Sequence, residues 1–238
     1  MERFNDRQYN ELRPVSYIKD FIDYPEGSVL INQGNTKVLC NVTIEEGVPR
    51  WMMDQEKPGG WITAEYALMP RSTQTRTARE TRGLKGRTQE IRRMIGRSLR
   101  AAFDLTHLDG YTCIVDCDVL QADGGTRTAS ITGGYLALRS AFEQMVKQEK
   151  ISEDVFLPRI AAVSVGMVGG EHLLDLCYEE DSIADVDINV VMNASGEYIE
   201  IQGTAEGAPF SAESFNVLLD LAEKGILELI SGQGSEFG

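Results

Sequence analysis

The sequence predicts an α+β protein in which strands cluster in hairpins and helices are inserted between them, giving mixed sheets and helices. Three observations carry this prediction: short apolar runs are separated by glycine turns, three segments have helical apolar spacing, and no repeat or low-complexity tract interrupts them. A chain of 238 residues with 42% hydrophobic residues can bury a sizeable core. We therefore expect residues 1–238 to form a single domain.

The first half of the chain predicts a hairpin and two further strands, with loops and a helix between them. The predicted strands are residues 27–33, 36–47, 61–68 and 111–121. Gln33, Gly34 and Asn35 form the turn of the hairpin. Residues 49–60 are a predicted loop, and residues 70–86, rich in Thr and Arg, are an exposed and mobile one. A helix begins at Thr88. Its apolar stripe consists of Ile91, Met94, Ile95 and Leu99.

The second half predicts a long helix, two hairpins and a last helix. The long helix runs from Thr126 to about Glu149. Its apolar residues, at helical spacing, are Ile131, Tyr135, Leu138, Phe142 and Met145. The hairpin strands lie in residues 159–168, 171–178, 183–192 and 197–205. The last helix begins at Ser211, its N-cap, and ends near Ile230, and residues 231–238 form a disordered tail. Its buried stripe is Phe215, Leu218, Leu219, Ala222, Ile226 and Leu229.

The segment LQADGGTRTASITGG, residues 120–134, predicts an anion site. Gly124 and Gly125 permit a tight turn after a strand, and Thr126 and Arg127 open the helix that follows. A helix N-terminus has unsatisfied N–H groups and partial positive charge, so a phosphate or sulfate fits there. The spacing matches neither GxxxxGK[ST] nor GxGxxG. The alternative is a plain strand–turn–helix in which Thr126 or Thr128 is the N-cap.

The charge of the chain is unevenly distributed. The window from Arg71 to Arg100 contains ten basic residues and two acidic ones, a formal charge of +8. The whole chain carries −14, so the rest of it carries −22. Such a basic strip steers polyanions, and the arginine fork fits phosphate oxygens. The alternative is a solvated helix face whose counter-charges come from the acidic body or from another subunit.

The segment YEEDSIADVDINVV, residues 178–191, contains the second candidate constellation. Asp185 and Asp187 are two apart and point the same way in extended backbone, and Asp181 precedes a turn that can fold back toward them. Paired carboxylates beside a phosphate site can hold Mg²⁺ or move a proton. The alternative is a solvated acidic turn in an acidic protein.

Cysteine usage and hydropathy exclude other classes. The four cysteines, Cys40, Cys113, Cys117 and Cys177, lie in apolar contexts without CxxC spacing, which predicts buried free thiols rather than a zinc site. No run of about 18 apolar residues is present, and the N-terminal residues are polar, so we expect a cytoplasmic protein with no membrane partner.

A phosphate cradle, an arginine strip for a polyanionic chain and carboxylates for a divalent metal together suggest a phosphate-dependent enzyme acting on RNA. Inorganic phosphate would then be the nucleophile, which is phosphorolysis. Spacing alone does not separate this reaction from hydrolysis beside a structural phosphate site.

The chain also resembles a known family over nearly its whole length. The blocks that carry the resemblance, in chain order, are LRPV, GSVLINQGNTKVLCNV, GWITAEYALMPRSTQTR, GRTQEIRRMIGRSLRA, DCDVLQADGGTRTASITGG and LCYEEDSIADVDINVVM. Together they resemble the RNase PH family of phosphate-dependent exoribonucleases, also called tRNA nucleotidyltransferases. Six blocks in the family's order are far more specific than any one of them.

The resemblance implies roles for individual residues. The implied phosphate ligands are Arg87, Gly125, Thr126 and Arg127. Asp181 and Asp187 are the implied catalytic and metal-binding pair, with Mg²⁺ as the cofactor and inorganic phosphate as co-substrate. The RNA-binding candidates are Arg71, Arg76, Arg79, Arg93 and Arg97. Of these, Arg93 and Arg97 lie on an amphipathic helix, so packing against a neighbouring subunit is an equal alternative for them.

The resemblance further implies a βαβα fold with a left-handed crossover and a homohexameric ring built as a trimer of dimers. The family shortens the 3′ ends of tRNA precursors, releases nucleoside diphosphates and adds nucleotides in the reverse direction. We therefore expect tRNA precursors and other RNA 3′ ends as partners, and no DNA. Whether ribosomal RNA is among the substrates stays open. Two alternatives are a non-catalytic RNA-binding ring component, as in exosome cores, and a phosphate-dependent enzyme acting on small nucleotides.

Overall fold

The structure, a computed structural model, describes residue 3 and residues 6–237, the last three by their backbone only. The described strands are β1 (Val15–Lys19), β2 (Gly27–Gln33), β3 (Thr36–Glu46), β4 (Trp61–Leu68), β5 (Tyr111–Gln121), β6 (Ile160–Val168), β7 (Glu171–Leu174), β8 (Val186–Asn193) and β9 (Tyr198–Ala205). The described α-helices are α1 (Arg50–Asp54), α2 (Gly86–Arg100), α3 (Thr126–Lys147), α4 (Tyr178–Asp181) and α5 (Ala212–Phe237).

The first sheet is mixed and has the strand order β1-β2-β3-β5-β4. Neighbouring strands are antiparallel except β4 and β5, which are parallel. A parallel pair needs a crossover connection, and α2 provides it. The apolar stripe predicted for this helix is fully buried, as Ile91, Met94, Ile95 and Leu99 are each at most 1% exposed. The left-handed sense of the crossover stays a prediction.

The second sheet has the order β7-β6-β8-β9 and is antiparallel throughout. Helix α5 packs against β6, β7 and β8. Its stripe is buried as predicted at Leu218, Ala222, Ile226 and Leu229, whereas Phe215 and Leu219 are partly buried at the edge of the core. Ser211 acts as the predicted N-cap, because its Oγ accepts a hydrogen bond from the Ser214 N–H at 3.1 Å.

Helix α3 lies between the two sheets and contacts β2, β3 and β6. All five apolar residues predicted for it are buried. Its backbone comes so close to β2 that a Cβ on Gly27 would lie 2.1 Å from the Ala137 carbonyl oxygen. Two sheets with helices between and beside them confirm the predicted α+β class. The four cysteines are buried and free, also as predicted.

Several boundaries differ from the prediction. Strand β1 and helix α1 were not predicted, because β1 is an exposed edge strand and α1 buries only Met52. Helix α2 begins two residues early, at Gly86. Helix α5 continues past Ile230 to Phe237, since the buried Gln233 donates to the Ile160 carbonyl at 3.0 Å. The expected disordered tail is therefore wrong as far as Phe237, and Gly238 lies outside the described residues. Among described helices, none is both long and apolar enough to cross a bilayer.

Candidate active site

The turn between β5 and α3 leaves the N-terminus of α3 open. Gly124 and Gly125 adopt left-handed backbone, with φ of +70° and +62°, and Gly125 is the N-cap. No side chain caps this end, since the Thr128 hydroxyl donates to the Gly125 carbonyl at 2.9 Å instead of accepting an N–H. The alternative with Thr126 or Thr128 as N-cap is therefore wrong. A helix of 22 residues thus presents uncapped N–H groups at this point.

The turn is fixed by contacts from β3 and from the segment between β7 and α4. Thr36 of β3 donates to the Gly124 carbonyl at 2.7 Å and accepts from the Asp123 N–H at 3.0 Å. On the other side, a Cβ on Gly124 would lie 2.4 Å from the Leu176 carbonyl oxygen. Only glycine fits there, because both the space and the backbone angle exclude a side chain.

A cavity of about 420 Å³ opens beside this turn. All of the predicted phosphate ligands line it, namely Arg87, Gly125, Thr126 and Arg127. Both predicted catalytic acids, Asp181 and Asp187, line the same cavity. The phosphate side comes from α2 and α3, whereas the acids come from α4 and β8. The fold therefore brings together residues separated by up to 100 positions in the sequence.

The cationic side of the cavity contains a buried N–H donor without a partner among the described residues. Arg127 pairs with Glu90 of α2 at 3.3 Å, and Glu90 also accepts from the Gln202 side chain at 2.7 Å. Within the described part of the chain, the buried Arg127 Nε has no hydrogen-bond partner. The Thr126 hydroxyl bonds to the Tyr66 hydroxyl at 2.9 Å. A free guanidinium N–H beside open helix N–H groups suits an anion.

Burial raises the pKa of both acids. Burial raises the pKa of Asp187 to about 6, and the neighbouring Asp181 contributes to that rise. Partial desolvation also raises the pKa of Asp181, against the opposing effect of Arg127 and Arg87. Asp185 was expected to point the same way as Asp187 and so to lie in the same group of acids. However, β8 begins only at Val186, and Asp185 is exposed and does not line the cavity.

Several lining residues were not singled out from the sequence. These are Tyr66, Leu68, Thr73, Gln74, Thr75, Thr77, Ala122, Ser164, Tyr178 and Asn189. Asn189 had a usable signal, because it lies two residues after Asp187 in a strand and so shares its face. Ser164 and Tyr66 had none, since each is one ordinary residue in a strand that only the tertiary fold brings to the cavity.

The arginine strip divides into two groups. Arg92 pairs with Glu65, and Arg97 with Glu200 at 2.6 Å, so acids of the same chain supply counter-charges that the sequence left unassigned. The ion-paired alternative thus applies to these two. Arg71, Arg76, Arg79 and Arg93 are exposed. The RNA-binding role of the five candidates stays a prediction.

Comparisons with known proteins agree with this fold and site. The sequence matches the family model described as 3′ exoribonuclease family, domain 1, over residues 11–142, and the model of domain 2 over residues 159–225. The chain therefore belongs to the 3′ exoribonuclease family, typified by RNase PH, as its resemblance predicts.

Solved structures of similar fold include exosome proteins. One is the Archaeoglobus fulgidus exosome with RNA bound to the active site, at 26% identity and a TM-score of 0.79, covering 97% of this chain and 92% of that chain. A second is an archaeal exosome core, at 25% identity and 0.74, covering 97% and 90%. Rice (Oryza sativa) Rrp46, at 21% identity and 0.77, covers 98% and 97% and supports the fold alone.

Proposed function

We propose that this chain is an active phosphorolytic exoribonuclease that shortens the 3′ ends of tRNA precursors with inorganic phosphate as nucleophile. One observation carries the proposal: the four predicted phosphate ligands and the two acids line a single cavity. A binding-only subunit has no need for both sets, and neither set is lost here. The function is therefore argued from the site and not from the fold alone.

The reaction assigns a role to each side of the cavity. Arg87, Arg127 and the α3 N-terminus hold inorganic phosphate, one oxygen of which attacks the phosphorus of the terminal phosphodiester. The bond from that phosphorus to the 3′ oxygen of the preceding nucleotide breaks. A nucleoside diphosphate leaves, and the shortened RNA takes up a proton on its 3′ oxygen. Of the pair Asp181 and Asp187, the acid that does not bind the metal can supply this proton. The reverse reaction adds nucleotides.

The donor set also fits Mg²⁺. Asp181 and Asp187 offer hard carboxylate oxygens in one cavity, and the charge of Asp181 raises the pKa of Asp187. In the described part of the chain, no group of three or more His, Cys, Asp or Glu is placed to hold a metal. Two carboxylates, waters and substrate phosphates are the usual ligands of Mg²⁺. When bound, the ion would neutralise charge developing on the phosphoryl oxygens.

The proposed partners follow from the charge distribution. Arg71, Arg76 and Arg79 are exposed on the loop before α2, where an RNA backbone can reach them close to the cavity. The same loop contributes Thr73, Gln74, Thr75 and Thr77 to the cavity wall. We assign the RNA to tRNA precursors, and the assembly to a homohexameric ring in the cytoplasm. Light scattering of the purified protein measures the mass of the assembly, and a monomer would contradict the ring.

The decisive experiment is product analysis on a tRNA with a short 3′ extension, in the presence of Mg²⁺, with and without inorganic phosphate. We expect nucleoside diphosphates only when phosphate is present. Omitting Mg²⁺ and adding a chelator should stop the reaction.

Other outcomes would overturn the proposal. Nucleoside monophosphates formed without phosphate would make the chain a hydrolase with a structural anion site. RNA binding without turnover would make it a binding-only ring component. Equal turnover of a free dinucleotide and of the tRNA would favour an enzyme acting on small nucleotides.

A further inference from the structure

A cluster of buried charged side chains lies behind the β5–α3 turn. Its members are Arg3, Arg7, Arg13, Asp175 and Glu180, each at most 8% exposed. Removing this many charges from water costs free energy that their mutual attraction does not reliably offset. A cluster of this size is therefore a poor device for stability alone, and its geometry indicates a role in positioning.

Asp175 forms the centre of the cluster. It is fully buried and adopts left-handed backbone, with φ of +55°. Its Oδ1 accepts from Arg13 Nη2 at 2.6 Å and from the Gln33 amide at 2.9 Å, and its Oδ2 accepts from Arg13 Nε at 3.0 Å. Burial alone would raise the pKa of Asp175, but the charge and hydrogen bonds of Arg13 lower it. The carboxylate stays charged and holds the guanidinium in one orientation.

The remaining nitrogen of that guanidinium reaches the phosphate-binding turn. Arg13 Nη1 donates to the Asp123 carbonyl, 110 positions away in the sequence. A Cβ on Gly125 would lie 3.1 Å from Arg13 Nη2. All three guanidinium nitrogens are thus engaged by Asp175 and Asp123. Arg13, part of the LRPV block, supports the turn from behind and does not itself take up the anion.

The same contacts continue to the acidic side of the cavity. Asp123 Oδ1 accepts from the Tyr178 N–H at 3.2 Å, at the start of α4. Glu180 of α4 accepts from the Cys177 N–H at 3.0 Å and from Arg3 Nε at 2.8 Å. The buried cluster and the exposed Asp123–Tyr178 hydrogen bond therefore connect the turn that begins α3 to the helix that carries Asp181.

We propose that Arg13 is a positioning residue that holds the Asp123–Gly125 turn against Asp175, and so fixes the phosphate-binding groups relative to the Asp181-bearing helix α4. This inference rests on the proposed function, because it takes inorganic phosphate as the ligand of the turn.

The test compares Arg13→Lys with Arg7→Lys. Both arginines are buried and both pair with Asp175, but the hydrogen bonds of Arg7 go to residues 11, 175 and 180 and not to the turn. A lysine at 13 keeps a cation beside Asp175 but lacks separate nitrogens for Asp175 and Asp123. We expect the KM for phosphate to rise about tenfold or more in Arg13→Lys, with kcat at saturating phosphate changing less than about threefold. In Arg7→Lys the KM stays within about twofold.

A merely structural role gives a different result, since loss of folded enzyme lowers kcat and leaves KM unchanged. That pattern in Arg13→Lys, or an equal rise of KM in both variants, would overturn the inference. The inference would also be overturned if Arg13→Lys and Arg13→Gln both fail to fold while Arg7→Lys folds. Calorimetric titration of the unaltered protein with phosphate separates the two proposals. Without binding there, the proposed function fails; with equal binding in Arg13→Lys, only the inference fails.

Discussion

In the proposed reaction, phosphate use depends most directly on Arg127. Its Nε is buried without a partner among the described residues, and its Nη2 pairs with Glu90 at 3.3 Å. A hydrogen bond between charged groups contributes about 1.5–3 kcal/mol, so Arg127→Ala should raise the KM for phosphate by about 10- to 150-fold. Steady-state kinetics with varied phosphate measures this. RNA affinity in a filter-binding assay should survive the change.

The matched control for that variant is Arg50→Ala. Arg50 is an exposed arginine on α1, outside the cavity, and pairs only loosely with Asp54 at 3.8 Å. Its loss should leave the phosphate KM unaltered. An unchanged phosphate KM in Arg127→Ala itself would mean that the anion site is misassigned.

Asp187 should make the metal-free protein less stable as the pH rises. Its pKa is about 6 in the folded chain, above the ordinary value of 3.8, so between these values the folded state holds a proton that the unfolded state has released. The contribution of Asp187 to the free energy of unfolding therefore falls as pH rises from 4 to 7, and Asp187→Asn should remove this fall, about 1–3 kcal/mol.

Urea unfolding of the unaltered protein and of Asp187→Asn at pH 4.5 and 7.5, with chelator and without phosphate, measures this difference. Asp185→Asn is the control, because Asp185 is an exposed carboxylate only two positions away. If the stability gap between Asp187→Asn and the unaltered protein is equal at both pH values, the raised pKa is refuted.

At the scale of elements, the β5–α3 turn depends on Gly124 for space as well as for backbone angle. Gly124→Ala places a methyl carbon 2.4 Å from the Leu176 carbonyl, at φ of +70°. Gly169, in the β6–β7 turn, has φ of +57° but nothing within 4 Å of its Cβ position. We expect Gly169→Ala to cost about 1–2 kcal/mol. Gly124→Ala should cost about 1–3 kcal/mol more, because the crowding adds to the strain.

Denaturant unfolding of the two variants tests this comparison. Because both variants carry the backbone strain, the difference between their free energies of unfolding reports the crowding alone. Equal losses would show that the segment between β7 and α4 does not crowd the turn.

Elements were predictable from the sequence where their signal is local. Strand β5, its glycine turn and the stripe of α3 follow from alternation and helical spacing within about 35 consecutive residues. Helix α1 gave no signal, because a five-residue helix with one buried side chain has no periodicity. The long-range contacts that hold the site in place could not be predicted from the sequence either. The contact between Arg13 and Asp175 joins residues 162 positions apart, and no pattern in either segment specifies the other.

The site residues also divide into those with a local sequence signal and those that only the tertiary structure reveals. The resemblance and the local chemistry predicted Arg127 and Asp187 as candidate site residues. How many arginines of the strip form ion pairs within the chain could not be predicted, because that number depends on the tertiary structure. Arg97 reaches Glu200 of β9, an acid 103 positions away in the sequence. A formal charge counted along the chain therefore overstates how many arginines of the strip are free to meet a polyanion.

At the scale of the whole molecule, the exposed arginines should set the salt dependence of RNA binding. For single-stranded RNA, each arginine that neutralises a phosphate adds about 0.7 to the slope of log affinity against log salt, so the combined change Arg71→Ala, Arg76→Ala and Arg79→Ala should reduce the slope by about 2. Arg92→Gln is the control, because Arg92 already pairs with Glu65. Affinity measurements between low and moderate salt give the slopes. Equal slopes in the unaltered protein and both variants would mean that the arginines of this loop do not contact the RNA backbone.

The cavity lies at the junction of two halves of the chain, and this has a consequence for biosynthesis. The predicted phosphate ligands end at Arg127, and the acids begin at Asp181. A nascent chain that has left the ribosome only as far as the end of α3 has the predicted phosphate ligands but neither acid, and it lacks Asp175, which binds Arg13 behind the turn. On the proposed function, a truncated or stalled product would therefore not cut RNA. Activity would arise only after synthesis of the second sheet.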